Sequence, residues 1–303
     1  MFDAIPLHDE LQAGCAPALQ TGLRNKPSDI HLQRARGVGR VVLGGSPNGT
    51  RITDMYQQFP TRVMLPKIGN AAFKEVVIIN SSGGIAGGDQ LDMEVVALRD
   101  ASVAVTSQAA EKVYRALDRP ARVATRLRAH EAAKLAWLPQ ETIVFNRARM
   151  RRRTEVDLCS GAELMALEWL VLGRTAHGEE VVSGQIVDTW RIRRDGRLIW
   201  ADGLYHADEA FAQLRRKALF ADHGAVGTLI YFGPDLEARL GILREIASSL
   251  ECQCAATIVG ALIIVRLSAR ASWDLKRGIR SLLEQFGREC GPGPFRVPKM
   301  WSC

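Results

Sequence analysis

No stretch of this 303-residue chain is apolar for long enough to cross a bilayer. Its longest apolar run, Ala255 to Val265, falls well short of the ~20 residues a spanning helix needs. The N-terminus has no basic segment followed by an apolar core, so no secretory leader is expected. Cysteine is scarce: the six, at positions 15, 159, 252, 254, 290 and 303, are too few and too scattered for a disulfide framework. Reduced thiols in a cytoplasmic protein are the expectation. The six histidines, at 8, 31, 130, 177, 206 and 223, never fall at His-x-x-x-His or His-Glu-x-x-His, the spacings that put two metal ligands on one helical face. A nucleophile elbow is missing too, because GGSPNG around Ser46 has Asn48 where that turn needs glycine. Low-complexity tracts are absent, and an apolar content of 47% is enough for a large buried core.

Charge of one sign is not concentrated. Forty Lys and Arg against 33 Asp and Glu give +7, which permits an acidic partner without demanding one. The densest cluster, NRARMRRR, divides by strand parity. Arg147, Arg149, Arg151, Arg153, Glu155 and Asp157 fall on one face, opposite Ala148, Met150, Thr154, Val156 and Leu158, with Arg152 alone out of step. That pattern fits a solvated strand face of mixed sign better than a nucleic-acid patch.

What the chain does have is glycine in one place. Asn80 to Gln90 reads NSSGGIAGGDQ. Gly83 and Gly88 have the separation of a phosphate loop, but Asp89 and Gln90 stand where that motif needs Lys and Ser or Thr, and an aspartate repels phosphate. The dinucleotide pattern fails as well, with Ala86 two places after Gly84. Val76 to Ile79 is a short apolar run, and Leu91, Met93, Val95 and Ala97 alternate with Asp92 and Glu94, so the glycines join two strands through two tight turns.

Period-two alternation dominates residues 31–205, with Asp195-Gly196 marking a hairpin before Leu198, and predicts a mainly β body. Residues 206–303 change character. Leu236, Leu240, Leu243, Ile246 and Leu250 predict one amphipathic helix, and Leu275, Ile279, Leu282 and Phe286 a second, between a Ser272 cap and Gly287. Thr257 to Leu267 reads as one buried strand, Phe211 to Phe220 as a helical turn or two, and Thr106 to Leu117 is ambiguous between helix and strand. Residues 1–30 show no periodicity and are expected to be a flexible lead-in, leaving 31–303 as a single domain. Cys252-Gln-Cys254 could offer two thiolates to a metal, but a pair opening an apolar strand fits buried small side chains better.

In their order and spacing, GGIAGGDQLD (83–92), TSQAAEKVYRA (106–116), PQETIVFNRARMRRRTEVDL (139–158) and LGRTAHGE (172–179) closely resemble the urease accessory protein family UreD, also called UreH. The resemblance runs from about Val41 to PFRVPKMW at the C-terminus. One departure is that Ser81 and Ser82 precede the first glycine pair, where the family usually has proline. The resemblance implies a large helical stack of β-sheets with a few helices toward the C-terminus. It also implies a non-enzymatic chaperone that joins UreF and the GTPase UreG on apo-urease and helps deliver nickel, with no stably bound cofactor.

By the same resemblance Gly83, Gly84, Gly87, Gly88, Asp89, Thr106, Gln108, Lys112, Tyr114 and Glu179 mark matching positions. Asp89 has two uses open to it, locking the turn through backbone N–H groups or lining a polar route for the ion, and Glu179 is the other candidate on such a route. Carboxylates suit an ion in transit because they hold it weakly enough to release it. Two other classes stand beside this one. A β-rich enzyme would draw its site from distant acids with His206 and His223, and a nucleic-acid adaptor would use the strand from Arg147 to Arg153.

Overall fold

The computed structural model describes residues 33–67, 73–174, 177–216 and 219–302, so the expected lead-in over 1–30 and the terminal Cys303 lie outside the described residues. In chain order the strands are β1 (Arg36–Ser46), β2 (Gly49–Gln58), β3 (Thr61–Met64), β4 (Lys74–Asn80), β5 (Gln90–Ala97), β6 (Ser102–Ser107), β7 (Glu111–Val113), β8 (Ala121–Ala129) and β9 (Lys134–Trp137). Then come β10 (Thr142–Val144), β11 (Arg149–Leu158), β12 (Glu163–Leu172), β13 (Gln185–Arg194), β14 (Arg197–Ala207) and β15 (Ala225–Phe232), helix α1 (Leu236–Ser249), β16 (Gln253–Val259), β17 (Leu262–Ala269) and helix α2 (Ser272–Glu289). The fold is mainly β, as the sequence pattern and the resemblance both imply.

The first sheet runs β14-β13-β11-β8-β5-β1-β2, and the second β16-β17-β15-β12-β9-β6-β4-β3, with β10 and β7 attached through β12. From β4 onward the chain alternates between them: β4, β6, β9 and β12 join the second sheet, while β5, β8, β11 and β13 join the first. Neighbours within each of these sets are parallel. Parallel neighbours need a crossover, and here the crossover is a strand of the other sheet, so the chain winds as a helical stack.

Parity places the core. Val41, Val95, Leu127, Val156 and Ile192 of the first sheet meet Val103, Leu135, Leu164 and Ile230 of the second. The other face of the second sheet is covered by the helices, with Leu243, Leu275, Ile279 and Phe286 packed among Leu167, Leu229 and Val265. Each such side chain contributes about 1.5–3 kcal/mol on burial. The first sheet's outer face carries the charged alternates. Among the described residues no helix is long and apolar enough to cross a membrane.

Several local expectations change. The run Thr257 to Leu267 is not one strand but parts of two, β16 and β17, because Gly260 at φ 60° turns the chain back between them. Ser272 is the first helical residue of α2 rather than its cap, and the preceding Ala271 gives no side-chain cap. That helix passes through Gly287 to Glu289, and Gly291 at φ 76° follows its end. Gly287 serves packing instead: a Cβ there would lie 2.1 Å from the Phe295 carbonyl oxygen, where the C-terminal segment crosses. Thr106 to Leu117 resolves as the end of β6, a turn and β7, since pairing with β10 overrides its helical composition. The segment from Phe211 is part of a 3-10 stretch, Asp208–Arg215. The Asp195-Gly196 hairpin forms as expected, both residues at positive φ between β13 and β14.

Candidate functional site

The glycine-rich turn carries the chain from β4 in the second sheet to β5 in the first. Asp89 closes it. Its Oδ1 accepts from the Ala35 N–H at 2.9 Å and its Oδ2 from the Ala86 N–H at 2.8 Å, so both oxygens of this buried carboxylate are occupied by backbone. Glycine is needed here for close approach. A Cβ on Gly84 would meet the Tyr114 ring at 2.4 Å and the Lys112 carbonyl oxygen at 2.8 Å, and one on Gly87 would meet Ala116 and the Arg119 carbonyl at 2.6 Å. Tyr114 clasps the same turn, donating from its hydroxyl to the Gly83 carbonyl at 2.8 Å. Asp89→Ala should therefore cost about 2 kcal/mol, the worth of hydrogen bonds to a charged acceptor, with a fall in thermal midpoint as the check; an unchanged midpoint would show that the turn holds itself.

The remaining marked residues divide. Gln108 and Lys112 line a cavity of about 310 Å³ that opens beside Asn80, Gly83, Gly84 and Glu111. Asn80 Nδ2 donates to both Glu111 oxygens, at 3.1 and 3.2 Å, yet burial still pushes the Glu111 carboxyl up to about 7. Thr106 anchors the C-terminal segment instead: its Oγ1 donates to the Leu138 carbonyl at 2.7 Å and accepts from Trp301 Nε1 at 3.0 Å. Glu179 lies elsewhere, paired to Arg174 at 2.8 Å in a separate cavity of about 420 Å³ with His223, and the Arg174 hydrogen bond holds its carboxyl below the usual range. The structure does not bring Asp89 and Glu179 together.

The inner end of the 310 Å³ cavity holds what sequence reasoning missed. Arg152 on β11, Asp188 on β13 and Glu168 on β12 form a buried ionic cluster between the sheets. Parallel register sets Arg152 opposite Asp188, and both face inward because they share parity with Thr154 and Trp190. Glu168 reaches across from the other sheet. Arg152 Nε donates to Asp188 Oδ1 at 3.0 Å, Nη2 donates to Oδ2, and Nη1 donates to Thr142 Oγ1 at 3.1 Å. Glu168 Oε1 accepts from Thr154 Oγ1 at 2.8 Å and Trp137 Nε1 at 3.4 Å. Glu168 Oε2 lies 2.6 Å from Arg152 Nε but off the N–H axis, which Asp188 occupies, and it accepts no hydrogen bond.

The protonation states follow. Burial alone would lower the Arg152 pKa, but Asp188 and Glu168 beside it hold it above its ordinary value, so it stays a cation. Burial raises Glu168 to about 7 against the pull of Arg152, with Asp188 adding to the rise. Glu168 therefore titrates near neutrality beside a guanidinium that stays charged.

A second cavity of about 720 Å³ begins on the far side of this cluster, running past Asp188 and Trp190 to Asp202, Cys254 and Arg266. Arg152 and Glu168 line both cavities. The sequence carried two faint signs of them: Arg152 was the residue out of step on its strand, and Glu168 is the only charge in the apolar run Leu164 to Leu172.

The rival readings find less. Burial lowers the pKa of His206, whose ring lies 6.3 Å from that of Phe211 and 6.5 Å from that of Phe220. Cys252 and Cys254 are raised by burial, which disfavours thiolate, and Cys252 packs against Gly278. Among the described residues no group of three or more His, Cys, Asp or Glu is placed to hold a metal ion.

Comparison with known proteins covers nearly the whole chain. A family model described as "UreD urease accessory protein" matches residues 35–302. The protein named urease accessory protein UreD in Xanthobacter autotrophicus is 41% identical over 271 residues, 89% of this chain and 91% of the relative. Proteins of the same name from Rhizobium etli and Agrobacterium fabrum are 40% and 38% identical over 270 and 283 residues, covering 89% and 93% of this chain and 96% of each relative.

Proposed function

The chain belongs to the UreD family of urease accessory proteins, and from that premise we propose that it is a non-enzymatic assembly chaperone that helps incorporate nickel into apo-urease. In this reading it works on apo-urease together with UreF and UreG, and the two cavities that meet at Glu168 form part of the ion's route. The observation that carries the route is the shared wall: Glu168, whose buried Oε2 accepts no hydrogen bond, lines both cavities together with Arg152.

The chemistry suits cargo rather than a resident ion. A divalent cation leaving water needs oxygen partners, and a single carboxylate supplies one without closing a cage. The Arg152 guanidinium 2.6 Å away opposes a long stay. Asp188 holds that guanidinium in place, so the positive charge stays beside the carboxylate.

Co-expression with the urease subunits and accessory proteins tests both levels. Without this chain, urease should purify with little nickel; full nickel and full activity would overturn the chaperone reading. Glu168→Gln leaves the Arg152–Asp188 pair neutral, so the variant should still fold and co-purify with apo-urease. Nickel loading should slow roughly tenfold, the effect of about 1.4 kcal/mol in the barrier to passage. Loading at the wild-type rate would remove Glu168 from the route and leave the chaperone reading intact.

A further inference from the structure

The outer face of the first sheet carries charges on every row, but the rows are not alike. Toward the C-terminal ends of the parallel strands, opposite signs alternate across the register. Arg40 pairs with Glu94 at 3.2 Å, Arg128 with Glu94 at 3.6 Å and Asp157 at 3.9 Å, and Arg193 with Glu155 at 3.9 Å. Most of the charges in those rows are paired within the face. The row at the N-terminal ends is different. It runs Arg36, Gln90, Arg122, Arg151, Val187 and Tyr205 on successive strands β1, β5, β8, β11, β13 and β14, about 24 Å at a strand spacing of about 4.8 Å.

Arg122 and Arg151 are direct register partners, a like-charge contact that disfavours the sheet. None of the side chains of Arg36, Arg122 and Arg151 makes an ion pair or hydrogen bond among the described residues, and all three are exposed. The row ends on Tyr205, which is 66% exposed. Arginine and tyrosine without internal partners are the side chains that protein interfaces favour.

We propose that this row is the docking surface for an acidic face of a protein partner, which sets a line of carboxylates across Arg36, Arg122 and Arg151 and packs an apolar group on Tyr205. The inference rests on the chaperone reading and places the partner within the urease assembly. Nucleic acid fits less well. Val187 and Tyr205 continue the row with apolar surface, which a phosphate chain does not use and a protein face does. A second copy of this chain would bring the same arginines against their like.

The test uses the tagged full-length chain co-expressed with apo-urease and the accessory proteins, retained on resin at low and high salt. Wild type should hold its partners at low salt and lose them as salt rises. Arg122→Glu with Arg151→Glu should retain roughly a tenth or less. Arg191→Glu with Arg197→Glu, the same charge change elsewhere on the sheet, should retain the wild-type amount. Arg122→Gln with Arg151→Gln removes the like-charge contact without adding another, so it should fold at least as well and show a smaller loss in the same direction.

Equal retention by both arginine-row variants would overturn the docking surface while leaving the chaperone reading standing. Retention abolished by nuclease would assign the row to nucleic acid, and equal loss in the control pair would reduce it to net charge. If wild type retains neither apo-urease nor an accessory protein, the chaperone reading fails and the docking surface fails with it.

Discussion

Replacing Arg152 by leucine is expected to lower the unfolding free energy by about 3–5 kcal/mol, the usual cost of removing one member of a buried ionic cluster. Among the described residues its guanidinium is the one cation paired with Asp188 and Glu168, two carboxylates that are themselves buried. Without it, Asp188 loses both of its donors and must either ionise in a medium that will not solvate it or take up a proton. Thr142 Oγ1 also loses the donor it accepts from.

The loss comes from the stranded charges and not from the missing volume, and a second variant separates the two. Arg152→Leu combined with Asp188→Leu and Glu168→Met removes every ionisable group at once and should recover most of the stability, because apolar side chains of similar volume commonly replace buried ion clusters at little cost. Urea unfolding of the three proteins at one pH measures both differences. A single variant within 1 kcal/mol of wild type would mean that water enters the two cavities freely enough to solvate Asp188, and the cluster would no longer divide them.

The same cluster shows what could and could not be read from the chain. Alternation in Leu91 to Ala97 and in Arg149 to Leu158 placed those strands correctly, because one face of each is packed and the other solvated. The hairpin at Asp195-Gly196 was legible for a local reason, the demand for positive φ at both turn residues. The division of β16 from β17 was not, since a glycine inside an apolar run does not by itself announce a turn. The glycine pairs raised the right question, and the answer needed Tyr114 and Lys112, about thirty residues away, to show why no Cβ fits at Gly84.

Glu168, Asp188 and Arg152 were out of reach for a different reason. They come from strands in two sheets, and only the register of β11 against β13 and the stacking of the sheets bring them together. No spacing rule covers such a set. Arg152 departed from its strand's polar alternation and Asp188 shares parity with Ile186, Trp190 and Ile192, but neither position by itself announces the other as its partner.

A further consequence is a stability that falls as pH rises. Glu168 titrates from an ordinary 4.5 when unfolded to about 7 when folded, chiefly through burial. Between those values the native state binds the proton that the unfolded chain has released, so folding is favoured at the acid end and loses that advantage as pH climbs through 7. Converted at 1.36 kcal/mol per pH unit, this is about 3 kcal/mol between pH 4.5 and 7. Glu111, also pushed up to about 7, acts in the same direction, while His206, lowered by burial, opposes both below its ordinary value.

Comparison with Glu168→Gln isolates the one group, because Glu111 and His206 are common to both proteins. The difference in unfolding free energy, glutamine variant minus wild type, should grow by up to about 3 kcal/mol from pH 5 to pH 8 and level off above it. Urea unfolding at half-unit steps of pH gives that curve directly. A difference that stays constant across the range would place the Glu168 carboxylate in water, ionised throughout. Nickel loading should follow the same titration in the opposite sense: the proton that stabilises the fold also neutralises the Glu168 carboxylate that lines both cavities, so loading through wild type should rise as pH passes 7 while the glutamine variant stays flat. Stability and transit would then compete for one proton, and a rise in loading with pH in both proteins would assign it to another group, with Glu111 at the mouth of the first cavity the next to replace.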